Sequence, residues 1–265
     1  MTIKTAIITG GSRGIGKALS EILLNRSYKV FSISRSANHG VDHENYVEFQ
    51  LDLSDQDAVK SFLSDFSAKH DVPDLLINNA GYGAFFEWAN FSDKDLNNQM
   101  QVLFTSPALF CRKFAPLMAK KKSGTIINLS SLAVLYPLPY MPIYNAAKSA
   151  LSSLTQTLIL EYNKHPQFID FRMGDIKTSF NDASLKPPVD GQNKKMKSAW
   201  LQIEKQLNHS PGPDVAAEQI ISALDKRKAG TIYGGGVFQA RIAPHLFNFL
   251  GQYLLMRILR KRYFK

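Results

Sequence analysis

The chain has 265 residues, 45% of them hydrophobic and 20% charged, with a formal net charge of +10. That balance excludes a disordered or fibrous chain and allows one sizeable buried core. A single cysteine, Cys111, excludes an intramolecular disulfide and fits a reducing, cytoplasmic compartment. The basic excess gathers in Lys194, Lys195 and Lys197, in Lys226-Arg227-Lys228, and in the tail at Arg257, Arg260, Lys261, Arg262 and Lys265. Neither zinc-finger spacing nor an RNA-binding aromatic signature accompanies it, so solvated faces rather than nucleic-acid binding are expected. No apolar run approaches the roughly 20 residues that span a bilayer. No basic-then-apolar leader is read, so no signal peptide is expected. The six histidines lack ligand spacing, and no metal is expected.

Thr5-Ala6-Ile7-Ile8-Thr9 reads as a buried strand running into Gly10-Gly11-Ser12-Arg13-Gly14-Ile15-Gly16. A helical pattern follows, with Ile15, Leu19, Ile22 and Leu23 on one face. Strand, glycine turn and helix together point to dinucleotide binding, because the turn admits a phosphate and the helix start offers free N–H groups. Tyr28 to Ser34 is a second strand ending at Arg35. An acid there would suit the free ribose of NAD, whereas an arginine accommodates the 2′-phosphate of NADP. Arg35, with Ser34, Ser36 and Arg13, therefore predicts NADP(H) over NAD(H).

Tyr46 to Leu51 alternates as a strand and ends at Asp52. Asp55 to His70 reads as a helix, with Ser54 as its expected N-cap. Asp74 to Ile77 is a fourth strand leading into Asn78-Asn79-Ala80-Gly81. Ser92 to Lys122 is a long helical stretch with a bend expected at Pro107. Gly124 to Leu129 is a fifth strand delivering Ser130-Ser131, and Phe168 to Met173 a sixth, followed by Gly174 and Thr178.

Between these strands, Tyr144, Ala147, Lys148, Leu151, Leu154 and Leu158 recur at helical spacing. Tyr144 and Lys148 are four apart and share a face. An ammonium beside a phenol favours the phenolate, so Tyr144 is expected below the reference pKa of about 10. Such a phenol can trade a proton with a carbonyl or alcohol oxygen, and Ser131 could hydrogen-bond the same oxygen. Alone, the pair is an ordinary surface pattern. Its context changes that reading.

Strands alternating with helices predict parallel βαβ units and one doubly wound, Rossmann-type α/β sheet of about seven strands with helices on both faces, forming a single domain. Ligands of such sheets bind beyond the carboxyl ends of the strands. The glycine turn, Arg35, Asp52, Asn79 to Gly81, Ser131 and Gly174 all follow strand ends and so share one rim.

The segment 181–210 places Met196, Trp200, Ile203 and Leu207 at helical spacing and is expected to be a substrate lid. Pro213 to Lys228 reads as a helix and Thr231 to Tyr233 as the last strand. The segment 244–265 reads as an apolar and basic C-terminal helix that could pack on the domain, on another subunit, or on an anionic membrane.

Thr9-Gly10-x-x-x-Gly14-x-Gly16, Asn78-Asn79-Ala80-Gly81, and Ser131 with Tyr144-x-x-x-Lys148 together resemble the short-chain dehydrogenase/reductase family, closely over Thr5 to about Thr178. The resemblance implies an NADP(H)-dependent carbonyl reductase, acting as an alcohol dehydrogenase in reverse. Tyr144 would be the general acid or base, Lys148 would lower its pKa and hold the nicotinamide ribose, and Ser131 would orient the substrate oxygen. Asp52, with Leu53 beside it, would hold the adenine end, and Ser12, Ala80, Tyr144, Gly174 and Thr178 would also contact the cofactor. The apolar tail and lid favour a hydrophobic ketone, alcohol or lipid-like acyl substrate, and a homodimer or homotetramer is expected. The family's usual helix asparagine, which supports the lysine through a water, is Leu103 here. Gln101 or a displaced water is the expected substitute. The alternatives are a weakly active or non-catalytic NADP-binding protein, or a membrane-associated member acting on a lipid-like ketone. The family's Pro-Gly after the sixth strand is Met173-Gly174.

Overall fold

A computed structural model describes residues 3–36, 41–178, 184–226 and 229–264. The start of the expected lid (181–183) and the cations Arg227, Lys228 and Lys265 lie outside the described residues. The strands are β1 (Thr5–Thr9), β2 (Lys29–Ser34), β3 (Tyr46–Gln50), β4 (Leu75–Asn78), β5 (Thr125–Ser131), β6 (Gln167–Met173) and β7 (Gly230–Gly234). The helices are α1 (Gly14–Asn25), α2 (Gln56–Lys69), α3 (Asp93–Met100), α4 (Ser106–Lys121), α5 (Pro142–Glu161), α6 (Lys194–Asn208), α7 (Pro213–Asp225), α8 (Ala243–Phe249) and α9 (Gln252–Tyr263).

The strands form one sheet in the order β3-β2-β1-β4-β5-β6-β7, and every pairing is parallel. A parallel sheet must be covered on both faces, which explains why its strands read as apolar runs. Alternate residues divide between the two faces. Ile8, Ile77, Ile127 and Phe171 pack with α1 and α7. Ile7, Phe31, Leu76, Ile126 and Phe168 pack with α2 and α4, along with Leu158 and Ile159 of α5. The chain reverses direction across the sheet between β1 and β4, and such a crossing opens the crevice in which doubly wound sheets hold ligands.

Three local expectations differ. The N-cap of α2 is Asp55, whose carboxylate accepts from the N–H groups of Asp57 and Ala58 at 3.1 and 3.0 Å. Ser54 is turned away because its hydroxyl and its N–H both donate to Asp52. The irregularity expected at Pro107 lies one turn earlier, as a π-helical turn over Gln101–Thr105 between α3 and α4. Proline offers no N–H and crowds the carbonyl four residues back, which is that of Leu103, so the wide turn falls where the ladder must break. The C-terminal segment is two helices, parted at Leu250-Gly251, where the backbone is extended.

Where α1 meets β1, Gly16 is buried and its backbone abuts the turn, so that a Cβ there would lie 2.0 Å from the Gly10 carbonyl oxygen. Gly16→Ala should therefore lower the unfolding free energy by roughly 1–3 kcal/mol. The measurement is the urea midpoint, and an unchanged midpoint would show that α1 can back away from the turn freely.

Candidate active site

A cavity of about 1440 Å³ follows the carboxyl rim of the sheet. Drug-sized pockets occupy roughly 300–1,000 Å³, so there is room for an extended ligand and a second molecule. Gly10, Ser12, Arg13, Gly14, Ile15 and Arg35 line it, as do Asp52, Leu53, Asn79, Ala80 and Gly81, and Ser131, Tyr144, Lys148, Gly174 and Thr178. Gly16 does not line the cavity and serves the packing behind the turn.

The ends of β1 and β4 are clamped together. The Thr9 hydroxyl accepts from the N–H groups of Asn79 and Ala80 at 3.0 and 3.1 Å. In return the Asn79 amide donates to the carbonyls of Thr9 and Gly10 at 2.9 and 3.2 Å. Asn79 is therefore committed to shaping the turn. Gly14 has φ +53°, a left-handed backbone that disfavours side chains, and opens α1. Arg13 makes no capping bond to the first turn of α1, so the helix start keeps its donors and its positive dipole end.

The tandem serines that close β5 divide their tasks. Ser131 hydrogen-bonds the Tyr144 phenol and also accepts from the N–H of Ala133 at 3.0 Å. Ser130 donates to the carboxylate of Asp170. Lys148, one turn after Tyr144 on α5, is buried, and its ammonium donates to the Leu129 carbonyl at 2.6 Å. Its Nζ lies 6.0 Å from the centre of the Tyr144 ring.

The expected lowering of the Tyr144 pKa is not found. Burial pushes the phenol above its ordinary value, the Ser131 hydrogen bond works against that rise, and Asp175 adds to it. Lys148 is anchored on a backbone carbonyl, and burial pulls its own pKa down to about 8. At neutral pH the phenol is therefore held in its protonated form.

Beneath this pair runs a polar network that the sequence reading passed over. Asp170 of β6 is fully buried and accepts from Ser152 of α5 at 2.6 Å and from Arg172 Nε at 3.0 Å, as well as from Ser130. Arg172 also donates to the Ser152 hydroxyl at 3.0 Å and to the Tyr233 hydroxyl at 3.3 Å. Two charged residues inside an otherwise apolar strand were the available signal. Asp170 opposes the effect of burial on Lys148 and keeps its pKa from falling further. A second brace joins β4, β5 and α5: Asn78 donates to Asn128 at 2.7 Å and Asn128 to Thr155 at 2.8 Å. Cys111 packs against that brace, and burial pushes its thiol up to about 12.

Leu103 is fully buried in the π-helical turn and lies against Gly81, where an added Cβ would come within 2.9 Å of its Cδ2. Gln101 does not replace the usual asparagine, because its amide donates to the Ser106 hydroxyl at 3.3 Å and Ser106 in turn bonds the Leu53 carbonyl. Among the described residues no group of three or more His, Cys, Asp or Glu is placed to hold a metal ion.

The profile of the short chain dehydrogenase family matches residues 4–186, and the chain belongs to that family of oxidoreductases. An uncharacterized oxidoreductase of Schizosaccharomyces pombe is 34% identical over 162 residues, 60% of this chain and 56% of that protein. The chain thus spans little more than half of that relative. The 3-ketodihydrosphingosine reductase of Bacteroides thetaiotaomicron is 27% identical over 212 residues, 78% of each chain. A short-chain dehydrogenase structure from Streptomyces avermitilis superposes with a TM-score of 0.82 at 22% identity, covering 94% of this chain and 93% of that one, which shows the shared fold.

Asp170 can be tested as a positioning residue. Asp170→Asn removes the anion that raises the Lys148 pKa, so that pKa should fall below about 8 and the basic limb of the pH–rate profile should move to lower pH. Leaving Arg172 buried without its partner costs about 3–5 kcal/mol, so the double variant Asp170→Asn/Arg172→Gln is measured beside it. Loss of stability with an unmoved pH profile would reduce Asp170 to a packing role.

Proposed function

We propose that this protein is an NADP(H)-dependent oxidoreductase that interconverts a carbonyl and a secondary alcohol on a hydrophobic substrate. The observation that carries the reading is the Ser131 hydroxyl bonded to the Tyr144 phenol, with buried Lys148 one turn away, in the cavity that also contains the glycine turn. The residues of the rim fit a dinucleotide: a helix start with unspent donors, a turn that excludes Cβ atoms, and two arginines at the expected ribose end. When bound, a nicotinamide cofactor supplies the hydride chemistry. In reduction, Tyr144 gives its phenolic proton to the oxygen that becomes the alcohol, while Ser131 donates to the same oxygen and fixes its place. In oxidation, Tyr144 takes that proton back. Lys148 supplies a positive charge beneath the phenol that steadies the phenolate formed in reduction.

Preference for NADP(H) is supported by Arg13 and Arg35. Both are exposed at the cavity edge, and among the described residues no carboxylate pairs with either. A hydrophobic substrate is supported by the wall opposite the rim, where Leu138, Met141, Ile203, Leu207, Leu255 and Leu259 meet. The name of the Bacteroides relative points the same way, towards a long-chain ketone. We assign the whole chain to one domain and α6 to the lid. Small-molecule turnover by a homodimer or homotetramer in the cytoplasm belongs to the same proposal. Among the described residues no helix is long and apolar enough to cross a membrane. One observation favours a second reading, cofactor binding with little turnover: Leu103 stands where the family's water-holding asparagine is expected.

Two measurements test the reading. Tyr144→Phe should lower NADPH-dependent reduction across a carbonyl panel by about 10²–10⁴-fold without changing NADPH affinity. Retained turnover would refute the proton-transfer role, and no turnover by the wild-type protein would favour the second reading. Arg35→Asp should weaken NADPH binding at least roughly tenfold, from the loss of a charge-assisted contact, while leaving NADH binding nearly unchanged. An unaltered preference would refute the NADP assignment.

A further inference from the structure

Residues 226–265 contain nine Lys or Arg and no Asp or Glu, and so hold nine of the ten net positive charges of the chain. The same stretch carries an unusual share of exposed apolar side chains. Of sixteen large hydrophobic residues exposed among the described residues, nine fall between Val237 and Phe264. Single exposed apolar residues are ordinary, but such a concentration marks an interaction face.

The two helices divide their sides. On α9, Leu255, Leu259 and Tyr263 are spaced four apart and buried, and they pack with Met196, Trp200 and Ile203 of α6. The outer side presents Tyr253, 83% exposed, and Leu254, together with Arg257, Arg260 and Lys261. On α8 and just beyond the cavity wall, Phe249 is 84% exposed. Phe238, Leu246 and Ile258 are exposed and also line the cavity, so the apolar face borders the cavity mouth.

The occupant of this face follows from charge. A second copy packing through the same face would bring an equally basic, acid-free stretch against it, and like charges at close range oppose that contact. Aromatic and aliphatic side chains interleaved with Lys and Arg are the composition of helices that lie in a membrane interface and are drawn to anionic lipid. At 7 and 12 residues, α8 and α9 are too short to span a bilayer but long enough to lie on one.

We infer that α8 and α9 form an interfacial face that docks on an anionic bilayer, with the cavity mouth opening at the contact so that a lipid-like carbonyl substrate enters from the membrane. The docking half of this statement stands on the face alone. The substrate half rests on the reductase reading.

The test is flotation of the full chain with vesicles of phosphatidylcholine alone or mixed with phosphatidylglycerol. The chain should float with the mixed vesicles at low salt and be released at high salt. Arg257→Gln/Arg260→Gln should reduce the partition at least tenfold, from roughly fivefold per cation, and Phe249→Ser/Tyr253→Ser should also reduce it. None of the four side chains lines the cavity, so NADPH oxidation with a soluble carbonyl should be unchanged in both variants. Binding is read without turnover, which keeps failure of docking distinct from failure of the reductase reading. Equal partition of wild type and variants, equal flotation on phosphatidylcholine alone, or no flotation overturns the inference. So does loss of self-association in Phe249→Ser/Tyr253→Ser without any flotation, which would assign the face to a second copy.

Discussion

The site depends on keeping one ammonium charged where burial opposes charge. Lys148 lies inside the protein, and desolvation alone would drive it toward neutrality. Two features oppose that. The Leu129 carbonyl accepts its proton at 2.6 Å, and Asp170 on the neighbouring strand supplies a buried negative charge. Asp170 is itself expensive to bury unless it is satisfied. Ser130, Ser152 and Arg172 satisfy it, and through them β5, β6 and α5 are held in one register. The position of Lys148 and the packing of the catalytic helix are thus one problem with one solution. Tyr144, one turn earlier on α5, inherits its place from it.

The overall architecture was legible because a parallel sheet forces near-continuous apolar strands, and every strand but β3 ends in, or is followed at once by, a glycine, serine or asparagine that marks the rim. The topological rule then brought the glycine turn, Arg35, Asp52 and Ser131 together without any side-chain geometry. Local competition between side chains was not legible. Ser54 and Asp55 are both good N-caps in isolation, and only the prior engagement of Ser54 by Asp52 decides between them. The Tyr144 pKa failed for a related reason. Helical spacing put Lys148 beside the phenol, but it did not show that the ammonium would be held by a carbonyl or that burial would outweigh its field.

Leu103 illustrates how one substitution is absorbed. An apolar side chain at that point cannot bind a water, yet it is not tolerated as a defect. It fills the space beside Gly81, and the π-helical turn that carries it also relieves the crowding imposed by Pro107. Gln101, the polar neighbour, is drawn to Ser106 on the other side of the turn. On the sheet side, Asp170 is the charged group that acts on Lys148.

The division of labour along the chain follows from which residues form which wall. The family profile ends at residue 186, and up to that point the chain supplies the rim, the glycine turn, Ser131, Tyr144 and Lys148. The apolar wall opposite is drawn largely from later residues: Ile203 and Leu207 on α6, and Leu255 and Leu259 on α9. Gln206 links these two helices: with its amide turned so that the oxygen faces Arg262, it accepts two bonds of 2.8 Å from the guanidinium. Asp175, held at 2.6 Å by Gln239, lies within the electrostatic reach of that guanidinium, which restrains the rise that burial imposes on its carboxyl. The C-terminal helices are thus tied to the catalytic rim by polar contacts and to α6 by apolar packing. The apolar wall therefore lies largely beyond the span of the family profile.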